Sequence, residues 1–150
     1  MTLEAGMTMR VAIFGSGYVG LVQAAVLSDA GHNVCCIDVD EERVEQLKNG
    51  VVPIYEPGLE KLVAENSFAG RLTFTTSAEH ELNRSDVIFI AVGTPQDQDG
   101  SADLNYVLAV ASEIGKYIHE DKVVVNKSTV PVGTAQAVEC EIKLQLSRRG

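Results

Sequence analysis

The stretch Arg10-Val11-Ala12-Ile13-Phe14-Gly15-Ser16-Gly17-Tyr18-Val19-Gly20 decides how this chain is read. Arg10 to Phe14 is a short apolar run rich in strand formers and is expected to be a buried strand. Three glycines follow with the spacing G-x-G-x-x-G, and each has a separate physical reason. Gly15 permits the tight turn out of the strand. Gly17 has no Cβ, so a pyrophosphate can approach the backbone, and Gly20 lets the next helix pack closely on the strand. A helix from about Tyr18 to Ala30 then aims free N–H groups and its positive dipole end at such phosphates. Val19, Val22, Val26 and Ala30 recur near the helical period and are expected to face the sheet, with Gly31 as the stop.

Asn33 to Asp38 (Asn-Val-Cys-Cys-Ile-Asp) is the second strand, and its acid lies 18 residues beyond Gly20. That is close to the ~20-residue spacing at which a carboxylate accepts hydrogen bonds from an adenosine ribose. A carboxylate at this place repels a 2′-phosphate, which favours NAD over NADP. Arg43 pulls the other way, since a nearby arginine accommodates a 2′-phosphate, but the strand end fixes Asp38 more firmly. The competing reading makes the glycines an ordinary turn and Asp38 a cap for the next helix. The coincidence of strand, glycines, helix and acid weighs against it.

Outward from this core the pattern alternates. Glu41 to Asn49 reads as a short helix with Val44 and Leu47 inward and Gly50 as its stop. Val51 to Gly58 is a loop with two prolines, and Leu59 to Glu65 resumes helical spacing. Arg71 to Thr75 is a third strand, followed by a turn of helix at most over Glu79 to Asn83. Asp86 to Val92 is almost continuously apolar, as a strand covered on both faces should be, and ends in Gly93-Thr94-Pro95. Asp103 to Ile118 is a helix with Leu104, Val107, Leu108, Ala111 and Ile114 on one face. Lys122 to Asn126 is a fifth strand, running into Lys127-Ser128-Thr129. The last helix spans about Thr134 to Leu146 with Ala135, Val138, Ile142 and Leu146 inward. Strands alternating with helices predict a Rossmann-like, doubly wound parallel sheet with right-handed crossovers. Ligands bind at the carboxyl ends of such strands, where Gly15–Gly20, Asp38, Gly93–Pro95 and Lys127–Thr129 all fall.

Composition sets bounds. The 150 residues suit one domain with a real core, and residues 1–8 are expected to be a disordered leader. Twelve basic against 21 acidic side chains give a net charge of −9, which argues against nucleic acid or an anionic membrane as partner. No apolar run reaches about 18 residues and no signal-peptide pattern is present, so a cytoplasmic chain is expected. Cys35, Cys36 and Cys140 lack metal-ligand spacing and are expected as buried, reduced thiols, with no metal. His32, His80 and His119 lie near turns or helix ends and are expected at the surface.

Taken together, these stretches resemble the amino-terminal, NAD-binding domain of the UDP-glucose/GDP-mannose dehydrogenase family. The resemblance is carried by Gly15–Val22, Ile37–Asp40, Pro53-Ile54-Tyr55-Glu56-Pro57-Gly58-Leu59, Val87–Pro95, Gly100–Leu104 and Lys127-Ser128-Thr129-Val130-Pro131-Val132-Gly133-Thr134. They cover roughly residues 9 to 147, and the Tyr-Glu-Pro-Gly-Leu and Lys-Ser-Thr-Val-Pro-Val-Gly-Thr stretches are more specific than the glycine pattern. The resemblance implies an NAD-dependent, four-electron oxidation of a nucleotide sugar, UDP-glucose to UDP-glucuronate, through intermediates held on a cysteine. It implies cofactor contacts from Gly15, Gly17, Tyr18, Val19, Gly20, Asp38, Arg43, Val92, Gly93, Thr94, Pro95, Ser128 and Thr129. Thr129 is further implied as the catalytic hydroxyl near the nicotinamide, helping to position a water. A hydroxyl suits that place because it both donates and accepts; strand-end capping is its structural alternative. Tyr55–Gly58 is left between a plain turn and a ligand or interface role.

By the same resemblance, the nucleophilic cysteine, catalytic lysine and asparagine and the sugar-nucleotide domain are expected beyond Gly150. So is the sixth strand of the fold. The chain is thus expected to be catalytically incomplete, to keep an open sheet edge, and to dimerise or be marginally stable alone. A homodimer is implied for the complete enzyme. Two other readings stay open: a stand-alone NAD-binding regulatory module, and the cofactor domain of a related enzyme such as GDP-mannose dehydrogenase. The Lys127-Ser128-Thr129 stretch favours the enzyme, because a sensor has no need of a group near the nicotinamide.

Overall fold

The computed structural model describes residues 6–150, so the expected disordered leader lies outside the described residues over 1–5; residues 6–8 carry no regular structure. The chain runs β1 (Arg10–Phe14), α1 (Tyr18–Asp29), β2 (Asn33–Ile37), α2 (Glu41–Lys48), α3 (Leu59–Phe68), β3 (Leu72–Thr75), α4 (Glu79–Arg84), β4 (Val87–Ile90), α5 (Asn105–Tyr117), β5 (Val123–Asn126) and α6 (Thr134–Arg149). The strands pair in the order β3-β2-β1-β4-β5, every pair parallel.

The strand sequences explain why helices cover both sides. Successive side chains alternate across a sheet. Val11 and Ile13 of β1 enter one core with Val34 and Cys36 of β2, while Ala12 and Phe14 enter the other with Cys35 and Ile37. The first core is closed by Leu21, Ala24 and Ala25 of α1, Val44 and Leu47 of α2, and Leu59 and Val63 of α3. The second is closed by Leu82 of α4, Val107, Val110, Ala111 and Ile114 of α5, and Val138 of α6. Fully burying a side chain such as Ile13 or Ile88 contributes about 1.5–3 kcal/mol, so two apolar faces on one strand strongly favour two helical layers.

The order places β2 and β3 to one side of β1, and β4 and β5 to the other. The chain therefore reverses its direction of winding between β3 and β4, and a crevice opens at the carboxyl ends of β1 and β4. The Gly15 turn sits at that crevice. The Ala91 N–H donates to the Phe14 carbonyl at 2.9 Å, and the Gly15 N–H to the Ile37 carbonyl at 2.8 Å.

Several local expectations need correction. In α1 the buried positions are Gly20, Leu21, Ala24, Ala25 and Ser28, whereas Val19 and Val26 are about half exposed and Ala30 is exposed. The helix is apolar almost all round, so periodicity does not choose a face. Gly20 does: it presses directly on the Gly15 backbone and turns its own side of the helix inward. Similarly, Thr134 and Val138 anchor α6, and Ala135 is exposed. Leu104 precedes α5 as its cap, and Val110 joins the buried face. The expected single turn after β3 is the six-residue α4, whose Leu82 is completely buried. Cys35 and Cys36 are buried, but Cys140 is exposed on α6. His32 is partly buried, its Nδ1 accepting a hydrogen bond from the Met9 N–H at 3.2 Å.

Candidate functional site

Three glycines shape the β1–α1 turn, each through space. Gly15 has φ +100°, a left-handed conformation that side chains disfavour, and a Cβ there would strike the Ala91 carbonyl oxygen. A Cβ at Gly20 would strike the Gly15 carbonyl oxygen. At Gly17 a Cβ would meet nothing within 4 Å. Gly15 and Gly20 are thus required by the fold itself, whereas Gly17 borders open space. Helix α1 begins at that space with Gly17 as N-cap and no side chain capping it. Its first intrahelical bond is from Leu21 N–H to the Gly17 carbonyl at 2.9 Å, leaving the N–H groups of Tyr18, Val19 and Gly20 ahead of it. Donors and dipole together favour an anion there.

Asp38 lies just past β2, half-buried. One carboxylate oxygen accepts hydrogen bonds from the Ser16 N–H (2.8 Å) and the Ser16 hydroxyl (2.5 Å); the other accepts from the Asp40 N–H (3.0 Å). Burial alone would raise its pKa. The Ser16 hydroxyl, the Asp40 and Ser16 N–H groups and the Arg43 charge outweigh burial, and the carboxyl titrates below its ordinary value. The acid therefore braces the glycine turn to the end of β2. Asp40, not Asp38, caps α2, accepting from the Arg43 N–H at 3.0 Å. A carboxylate offers about four lone-pair positions, so Asp38 keeps acceptor capacity for a ligand hydroxyl.

Asp38, Arg43, Gly15, Gly17, Val92 and Gly93 line one groove of about 440 Å³. Phe14, Ile37, Val39 and Ala91, from the same quoted stretches, also line it, whereas Thr76 after β3 and Tyr106, Ala109, Val110 and Glu113 of α5 were not legible as a motif. The only available signal was helical spacing in 106–113. A groove of about 480 Å³ lies elsewhere, running from Arg10, Asn33 and Arg71 at the starts of the strands along β3 to Thr75, beside Glu81 and Arg84 of α4.

Thr94, Pro95, Ser128 and Thr129 do not line the 440 Å³ groove; they continue the same rim past β4 and β5. The Thr94 hydroxyl donates to the Thr129 carbonyl at 2.9 Å. The Ser128 hydroxyl donates to the Val92 carbonyl at 2.8 Å, and its N–H to the Ile90 carbonyl at 3.0 Å. Thr129 itself is exposed. The Asn126 side chain accepts from the Ser128 N–H at 3.1 Å, while its buried amide nitrogen has no partner among the described residues.

The proline-rich loop forms the turn into the next helix. Gly58, with φ +83°, starts α3. Glu56 also accepts a hydrogen bond from the Tyr18 hydroxyl at 2.9 Å, joining this loop to the start of α1. That bond is the main reason the Tyr18 phenol titrates above its ordinary value, with the Glu56 charge second. Among the described residues, no cluster of three or more His, Cys, Asp or Glu side chains is placed to hold a metal, and no helix is long and apolar enough to cross a membrane.

Comparison with known proteins follows the same lines. Residues 9–149 match the UDP-glucose/GDP-mannose dehydrogenase family, NAD binding domain. The chain is 53% identical to a UDP-glucose 6-dehydrogenase of Pseudomonas aeruginosa over 94% of its own length and 31% of that protein's. It is 51% identical to a UDP-glucose 6-dehydrogenase of Bacillus subtilis over 87% of its length and 28% of that protein's. It spans less than a third of both curated relatives. A GDP-mannose dehydrogenase from Pseudomonas aeruginosa, solved as a ternary complex, superposes with a TM-score of 0.88 at 42% identity, covering 91% of this chain and 32% of that one. A UDP-glucose dehydrogenase from Pyrobaculum islandicum superposes with a TM-score of 0.84 at 40% identity, covering 95% and 35%. With the glycine turn, the Asp38 brace and the parallel five-stranded sheet all in place, the chain belongs to the UDP-glucose/GDP-mannose dehydrogenase family, as its NAD-binding domain.

Proposed function

We propose that this chain supplies the NAD side of a dehydrogenase that oxidises UDP-glucose to UDP-glucuronate in a longer protein. NAD bound here would supply the hydride acceptor, used twice in the complete reaction. The open space over Gly17, facing an uncapped helix N-terminus, is the observation that carries this reading.

The chain's own groups divide the work. The N–H groups of Tyr18 and Val19, with the bare Cα of Gly17 and the room that Gly15 and Gly20 create, hold the pyrophosphate. Asp38 accepts from the ribose hydroxyls, with Arg43 beside it, and its negative charge disfavours a 2′-phosphate. Val39, Ala109 and Val110 give the adenine an apolar bed, as the lining of small-molecule sites generally does. At the other end, Val92, Gly93, Thr94, Pro95, Ser128 and Thr129 border the nicotinamide. The Thr129 hydroxyl is the group placed to hold a water for the second oxidation. Catalysis needs further groups held within ~3–3.5 Å of the reacting carbon, so the sugar nucleotide and the nucleophile are assigned to other domains. The complete enzyme is read as a cytoplasmic homodimer. UDP-glucose is preferred over GDP-mannose because two bacterial UDP-glucose 6-dehydrogenases share 51–53% of residues with this chain; the archaeal UDP-glucose enzyme and the GDP-mannose enzyme, at 40% and 42%, do not separate the two sugars.

Titration calorimetry with NAD and NADP tests this. NAD is expected to bind and NADP to bind more weakly. Asp38→Ala, checked for folding by circular dichroism, should weaken NAD binding by about 1–3 kcal/mol, the scale of lost hydrogen bonds to a charged group. Unchanged affinity in a folded variant would remove Asp38 from the site.

A further inference from the structure

The wall that α5 gives to the Asp38 groove includes Glu113, whose carboxylate has no hydrogen-bond donor among the described residues. Tyr106, Ala109, Val110 and Glu113 recur at three- and four-residue intervals, so they form one stripe along the helix, and all four line the groove. Val110 is buried in the core, but folding leaves the rest of this lining unexplained. Tyr106 stays 57% exposed and Val39, from the loop after β2, stays 90% exposed. Two large side chains left in water on one groove suit a flat apolar ligand surface.

Glu113 differs from the rest of the stripe. It is partly buried, and burial raises its pKa against the opposing charge of Lys116, with no hydrogen bond to it from the described residues. A carboxylate drawn out of water without a donor is unfavourable, and a donor arriving with a ligand removes the penalty. Asp38, the other acid of the groove, is already braced by Ser16 and Asp40. The two acids thus have different tasks.

Resting on the NAD reading above, we infer that Glu113 is a specificity-determining residue whose carboxylate accepts the exocyclic amino group of the adenine base. That amino group carries two N–H donors. Hypoxanthine presents an oxygen at the same place. A carboxylate is complementary to the first and repels the second, so one side chain both selects and rejects.

The test compares NAD with nicotinamide hypoxanthine dinucleotide, by calorimetry on this chain and its Glu113→Gln and Glu113→Ala variants. The unaltered chain should bind NAD roughly tenfold more tightly than the hypoxanthine analogue, the scale of one hydrogen bond gained against one acceptor left unpaired. Glu113→Gln keeps an acceptor and adds a donor, so the preference should fall to within about twofold or reverse. Glu113→Ala should abolish the preference, NAD affinity falling as its hydrogen bond is lost and the analogue's rising as the repulsion is removed. Unfolding midpoints of both variants check that α5 is intact. If neither dinucleotide binds the unaltered chain, the NAD reading falls and this inference falls with it. If both bind and the preference is absent, or survives in the two variants, only the role of Glu113 is overturned.

Discussion

The two halves of the rim are built differently. On the β1–β2 side the turn is fixed by backbone: Gly15 and Gly20 interlock with Ala91 and with each other, Ser16 is buried, and Asp38 satisfies three donors at once. On the β4–β5 side the loops after the strands are tied by side-chain hydroxyls, Thr94 to Thr129 and Ser128 to Val92. Thr129 is exposed, β5 is only half covered, and the Asn126 amide nitrogen is buried without a partner among the described residues. An orphaned donor of that kind costs about 1–3 kcal/mol. The first half is finished by its own packing. The second holds groups in reach of a reaction with looser ties, so substitutions should separate into those that break the fold and those that change only the site.

The largest effect is expected inside the glycine trio. Gly20→Ala drives a methyl into the Gly15 carbonyl, where backbone rather than a flexible side chain must move. Overpacking of this kind should destabilise the chain by about 3 kcal/mol and shift its urea midpoint accordingly. Gly17→Ala puts the same methyl into open space and should change stability by less than about 1 kcal/mol, while NAD affinity falls because the methyl occupies the phosphate approach. Equal destabilisation by the two substitutions would mean that the division between fold and site does not run through the turn.

A smaller effect should come from Asp38, and it depends on pH. Its folded pKa is held below the ordinary carboxylate value of 3.8. A depressed folded pKa contributes stability that is present above the unfolded pKa and is lost as pH falls through the folded one. The group is about half exposed, so after allowing for solvent screening the contribution is about 1 kcal/mol. Asp38→Asn should therefore be less stable than the unaltered chain at pH 7, and the gap should close as pH drops below about 4. A gap independent of pH, read from urea midpoints across that range, would show that the brace is steric and not ionic.

How much of this could be read from sequence follows the same division. The strand run into Gly15–Gly20 and the acid at the end of β2 were legible because backbone geometry restricts those positions to few residue types. The inward face of α1 was not: with valines and alanines on most sides, periodicity favours no face, and the contact of Gly20 with Gly15 decides it. Gly115 carried no sequence signal either. Its missing Cβ lets α6 approach α5, since a Cβ there would lie 2.6 Å from the Ile142 carbonyl oxygen. Of the site, the motif residues were legible, but the α5 wall of the groove was not, because Tyr106, Ala109, Val110 and Glu113 fall outside the inward face that periodicity marks through Leu104, Val107, Leu108, Ala111 and Ile114. The Tyr18–Glu56 bond joins residues 38 positions apart and needed the fold to bring them together.

The smallest effect is the most discriminating for the β4–β5 side. Thr94→Val removes the hydroxyl that donates to Thr129 and keeps the shape of the side chain. The orphaned carbonyl belongs to an exposed residue and can turn to water, so the loss of stability should stay below about 0.5 kcal/mol. Ser128 remains held by Ile90 and Val92, so β4 and β5 should keep their pairing. What should change is local: faster hydrogen exchange at the amides around 129 and 130, with no change at the Gly15 turn. Opening that reaches the Gly15 turn as well would show the two sides of the rim to be one cooperative unit. Exchange confined to the Thr129 loop would mean that the hydroxyl tie sets the position of the groups assigned to the nicotinamide end without contributing to the stability of the domain.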